Sequence, residues 1–182
     1  EEYTALVRGM GAIEATDQFL CEEVDLFDSG VPEIVAQVSR VSRLREVRAL
    51  TGFTRVVPST DENDVAVAPL SESAHPLWLP AIEVLGEGVF LRLDEGLLES
   101  WAGTDFALSR QRLLMRSQAS VGGNSLTSGL DVSPRVLALH SLAHVLVDEM
   151  SLTSGYPAAS LREREHDEPG QAGILVYTAT AD

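Results

Sequence analysis

The sequence predicts an α+β (mixed α/β) fold, with several helices packed on a small mixed sheet whose strand order the residues leave open. Three observations carry that prediction. Residues 134–153 form a long helical pattern with both caps in place. Apolar runs stand at 65–68, 82–85, 89–93 and 172–178. Finally, 45% apolar residues in a chain of 182 are enough for a buried core, in one domain or two small ones.

Taken in order, the first thirty residues hold eight acids against Arg8 alone, which predicts a solvated, edge-like segment, 1–30, ahead of the main domain at 31–182. From 32 to 50 the spacing is helical, with Ile34, Val35, Val38, Val41, Leu44 and Val47 recurring at three and four and Pro32 in the first turn. Thr51 and Gly52 end it. A polar loop at 59–64 leads to a short strand at 65–68. The runs 82–85 and 89–93 flank Gly86-Glu87-Gly88 and predict a hairpin. Two helices follow, over 95–101 and 104–117. Three Gly and four Ser between 120 and 133 mark a loop. Ser133 as N-cap, Pro134 behind it and Gly155 at the end bound the clearest helix. After a charged loop, 172–178 reads as a buried strand.

The net charge of −15 combines 28 acids with 13 basic residues, all of them Arg. Such a balance excludes a generally basic nucleic-acid coat. Its distribution is uneven. Arg40, Arg43, Arg45, Arg48 and Arg55 share sixteen residues with Glu46 alone, a window of +4 that leaves −19 for the remainder. Two readings stand: ion pairs within the chain, or contact of Arg43, Arg45, Arg48 and Arg55 with a nucleic-acid backbone or a protein partner. With no lysine, every basic contact is made by guanidinium, which suits bidentate pairing.

Cys21 is the single cysteine, so there is no internal disulfide and no thiolate cage, and a reducing, cytoplasmic setting is expected. No apolar run reaches the ~18–20 residues of a membrane span, and the start lacks signal-peptide order; no membrane partner is expected. A first residue other than Met, and an end just after the apolar run 174–177, suggest a piece of a longer chain.

Potential chemistry concentrates on the helix at 134–153. His140, His144 and Asp148 stand at i, i+4 and i+8 on one stripe, and a His pair at that spacing can bind metal. Asp148 is a poor third ligand, because its backbone lies ~12 Å from that of His140. Ser141 occupies the place where a zinc peptidase carries its general base. Residues 122–125 lack the close of a phosphate loop, and no nucleophile elbow occurs. Acids beside Cys21 disfavour a reactive thiolate. No catalytic residue and no metal ligand is therefore assigned.

Five runs follow one another in a recognisable order: 44–55 (LREVRALTGFTR), 87–93 (EGVFLRL), 139–144 (LHSLAH), 154–164 (SGYPAASLRER) and 173–178 (GILVYT). Together they resemble the MrfA Zn-binding (MZB) domain family, once a domain of unknown function. The family occurs at the C-terminus of some superfamily-two helicases, and as the separate DrmB-type subunit of DISARM anti-phage systems, whose appearance is the nearer one. The resemblance implies a non-catalytic, helicase-associated module with a DrmA-like helicase and DNA as partners. It also implies a functional surface, a polar pocket or network, at His140, His144, Tyr156, Ser160, Arg162 and Glu163. A network that only fixes helix to strand suits the same residues.

The chain departs from the family pattern in three places. The four zinc-binding cysteines are absent, so no cofactor is expected in this piece, and any zinc is left to the intact parent protein. The family's Gly-Thr-Leu-Gly-Gly continuation after the last strand is absent. Residues 164–168 replace a usual aromatic residue, and His166 is given no role. Two alternatives remain open: the C-terminal domain of a single-chain superfamily-two repair helicase, or a metal-dependent hydrolase using His140 and His144.

Overall fold

The computed structural model describes residues 1–9, 18–27, 30–54, 68–71, 77–121 and 132–178. In chain order it comprises a helix α1 (Glu2–Arg8), strands β1 (Phe19–Glu23), β2 (Val35–Ala49), β3 (Gly52–Phe53), β4 (Ala68–Pro69) and β5 (Ala81–Leu93), and helices α2 (Glu95–Ala102), α3 (Asp105–Val121) and α4 (Pro134–Ser154). A 3-10 turn (Ala158–Ser160) then leads into strands β6 (Leu161–His166) and β7 (Gly173–Thr178). The α+β class is the expected one. The sheet order is β1-β2-β5-β7-β6, and every pairing among the described residues is antiparallel rather than mixed. Strands β3 and β4 form a separate two-stranded ribbon. The expected strand at 65–68 and the loops at 59–64 and 120–133 lie wholly or mostly outside the described residues.

The run expected as a helix over 32–50 is the long strand β2. Its Val and Leu residues recur every third position, which imitates a helical stripe, but the residues that are buried are Gln37, Ser39, Val41 and Leu44. That is a strand period of two, interrupted where the register shifts between Val41 and Leu44 and carries the buried face from odd to even positions. The β-branched content of the run favours a pleated strand, and pairing on both sides, with β1 and β5, satisfies its backbone.

The expected hairpin at 82–93 is likewise one strand, β5. Gly86 and Gly88 make room for a neighbour instead of turning the chain. A Cβ on Gly86 would lie 2.0 Å from the Thr178 carbonyl oxygen, and one on Gly88 2.3 Å from that of Val176, so β7 passes where only glycine fits. The charged loop expected before 172 contains β6, which pairs with β7 throughout its length.

The sheet separates two apolar clusters. On one face, Leu6 of α1 packs with Cys21, Val41, Leu44, Phe90, Leu175 and Tyr177. On the other, α4 packs Leu139 and Ala143 against Leu93, Leu98, Ile174 and Val176. Each fully buried Leu contributes about 2 kcal/mol of burial free energy. Within the acidic first segment β1 is an edge strand of the sheet, and Leu6 and Cys21 are fully buried rather than solvated.

A seven-residue helix is marginal alone, and β2 secures α1. Gln37 Nε2 donates to the Val7 carbonyl at 2.9 Å and Ser39 Oγ to that of Leu6 at 3.4 Å, which satisfies carbonyls the helix end leaves open. On the opposite face α4 begins as expected, with Ser133 Oγ accepting from the Val136 amide, and ends at Gly155 with φ 78°. Among the described residues no helix is long and apolar enough to cross a membrane.

Candidate functional site

Helix α4 crosses the sheet beside its edge strand β6. Leu139 and Ala143 face β7 and are buried, and the next residue on each turn, His140 and His144, overhangs β6. On β6 the residues alternate. Leu161, Glu163 and Glu165 share the face of Val176 and Ile174, toward α4, whereas Arg162, Arg164 and His166 stand opposite Tyr177, Leu175 and Gly173, toward α1. Two imidazoles from one helix therefore meet two carboxylates from one strand.

The contacts within this cluster are specific. His140 Nδ1 lies 2.7 Å from Glu165 Oε1, and its Nε2 lies 3.1 Å from His144 Nε2, with the two rings edge to face. Glu163 Oε1 stands 3.6 Å from His144 Nε2 and 3.9 Å from His140 Nδ1. The imidazoles are 53% and 60% exposed, whereas Glu163 and Glu165 are 24% and 19% exposed. The cluster thus has a protein-lined floor and an open side.

Of the six positions expected to form one polar surface, the structure brings together His140, His144 and Glu163. Tyr156 donates instead to Glu87 Oε1 at 2.7 Å and lines a separate cleft of about 220 Å³ with Arg40, Met150 and Tyr177. That hydrogen bond to a carboxylate raises the phenol's pKa. Ser160 donates to the Pro157 carbonyl, and Arg162 to those of Ala159 and Leu161, so both brace the turn into β6. Arg162 and Glu163 do not pair, because neighbours on a strand point to opposite faces. Asp148 is exposed on α4, and the third member of the His cluster comes from β6 in its place.

Two further residues complete the site's support. Glu165 orients His140. Arg135, in the first turn of α4 and 13% exposed, donates to Glu95, to Glu99 and to the carbonyls of Asp167, Glu168 and Gln171. It thereby ties α2, α4 and the β6–β7 connection together, and Glu95 is held below the usual carboxylate range by this guanidinium. For Glu165, a sequence signal existed in the alternation of charges over 162–166, once that run is taken as a strand. Nothing in the local pattern marks Arg135.

On the α1 face, His166 sits between Tyr3 and Phe90, with ring centroids 5.4 and 6.1 Å away. Burial lowers its pKa, against the opposing pull of Glu2. Arg164 bonds Glu2 and donates to Tyr177 Oη at 3.2 Å.

Of the arginines expected to reach DNA or a partner, Arg45 pairs with Glu83 at 2.7 Å and Arg48 with Glu46 at 2.8 Å, while nearby Arg40 pairs with Glu22 at 2.8 Å. Hydrogen bonds from Arg48 and Arg45 hold Glu46 and Glu83 below the usual carboxylate range. These three arginines follow the ion-pair reading, arranged along a strand rather than around a helix. Arg43 is exposed on β2, and Arg55 lies outside the described residues. Cys21 is buried beside the Leu6 carbonyl and burial raises its thiol pKa, so a cysteine zinc cage does not fit this chain.

Fold and site together define a small antiparallel α+β unit that carries a His–His–Glu cluster where a helix overhangs an edge strand. In sequence the chain is similar to DISARM protein DrmB of Bacillus paralicheniformis, with 30% identity over 152 residues, covering 80% of this chain and 27% of that protein. The chain therefore spans about a quarter of the length of the relative it matches. No protein-family model matches the chain.

Proposed function

We propose that this chain is part of a DrmB-like component of a DISARM-type anti-phage defence complex, acting in the cytoplasm as a non-catalytic module that contributes helicase and DNA contacts. The similarity to DISARM protein DrmB over most of the chain is the observation that carries the reading. The order of the five motifs supports kinship with the MZB domain family. In this reading a DrmA-like helicase supplies the ATPase activity.

The DNA contact is local. The net charge of −15 confines any phosphate contact to the arginine window that holds Arg43, Arg45, Arg48 and Arg55. The experiment is a phage challenge of cells carrying the intact parent gene with its genomic neighbours. Deleting the parent gene is expected to restore plaque formation to the level of cells without the system. Unchanged protection after the deletion contradicts the reading.

A further inference from the structure

We propose that His140, His144 and Glu163 form a binding site for a divalent transition-metal ion of the zinc class, with Glu165 as the carboxylate that orients His140. The three donor atoms lie within 4.8 Å of one another. Bonds of ~2.0–2.2 Å to a tetrahedral ion place neighbouring ligand atoms about 3.4 Å apart. The 3.1 Å between the imidazole Nε2 atoms and the 3.6 Å from His144 Nε2 to Glu163 Oε1 bracket that value.

The hydrogen-bond pattern favours an ion over a purely structural network. His140 Nδ1–H donates to Glu165, which fixes the tautomer and leaves the Nε2 lone pair aimed at His144. An imidazole whose far nitrogen is held by a carboxylate is the usual arrangement of a metal-bound histidine. Glu163 Oε1, in contrast, approaches both imidazoles without reaching hydrogen-bond distance, and its Oε2 is buried with no hydrogen-bond partner among the described residues. A carboxylate placed at such cost gains its interaction from a cation shared with the two histidines. Two imidazoles and one carboxylate select ions of the zinc, cobalt and nickel type over magnesium and calcium. The exposed side leaves the fourth position to water or to a donor from a partner.

The test uses the full-length parent protein and reads the difference between wild type and variants, so that metal held elsewhere cancels. Wild type is expected to bind one more equivalent of Zn²⁺ than the His140→Ala/His144→Ala variant, and to give a Co²⁺ difference spectrum that the variant lacks. His144→Gln or Glu163→Gln weakens this binding by about 100-fold or more, and Glu165→Gln by about 10–100-fold. Equal zinc content and equal cobalt spectra in wild type and double variant overturn the proposal. A measurement on wild type alone guards against a variant that fails to fold: Zn²⁺ is expected to protect His140 and His144 from diethyl pyrocarbonate, read by peptide mass spectrometry. Modification that Zn²⁺ does not slow overturns it as well.

Discussion

Burial dominates the behaviour of His166 over the opposing pull of Glu2, and the consequence is a pH-dependent stability. Its folded pKa lies below the ordinary ~6.5, so the unfolded chain binds the proton first and stability falls as pH drops below about 6.5. Glu46, Glu83 and Glu95 have lowered pKa values, and the stability they contribute is present above the ordinary ~4.3 and lost only as pH falls through their folded values. Replacing His166 with Phe, which suits its place between Tyr3 and Phe90, is expected to flatten the decline of Tm between about pH 7 and 5 while leaving the more acidic limb. Equal slopes in variant and wild type contradict this assignment. The site itself was partly legible at this scale. The spacing of His140 and His144 marks a pair, and the family resemblance reaches Glu163. Glu165 stayed hidden because its segment read as a charged loop, and Tyr156, Ser160 and Arg162 lie near in sequence yet turn to other partners.

Helix α4 and strand β7 were the elements most legible in the sequence. Ser133, Pro134 and Gly155 mark the ends of α4 by local chemistry, and β7 is buried at all six positions, so its apolar run is continuous. Strand β2 was misread because its two most informative buried residues, Gln37 and Ser39, are polar. They are buried to serve the end of α1, a partner some thirty residues away. The break at β5 was misread because glycine signals both a turn and a close approach. That distinction is testable. Gly88→Ala puts a methyl group against the Val176 carbonyl, where backbone rather than a flexible side chain must yield. It is expected to cost about 2 kcal/mol or more in denaturant unfolding, above the small gain that Gly→Ala brings in an unobstructed strand. A neutral effect contradicts the close β5–β7 approach.

Across the whole molecule, the charge of −15 is organised by the fold. The acids of β1 and β5 meet arginines of β2, Glu2 meets Arg164, and the acids of α2 meet Arg135. Much of the apparent basic window is thereby spent inside the chain, a distribution that no charge total reveals. The two imidazoles of the His–His–Glu cluster stay exposed beside the β6 edge, and Arg135 ties their helix to α2 and to the β6–β7 connection. The central claim, a DrmB-like component working beside a helicase, is tested most directly by purifying the tagged intact parent protein from cells expressing its genomic neighbours. A helicase recovered in stoichiometric amount is the predicted result. Recovery of the parent protein without a helicase, from cells in which the neighbouring helicase is expressed, contradicts it.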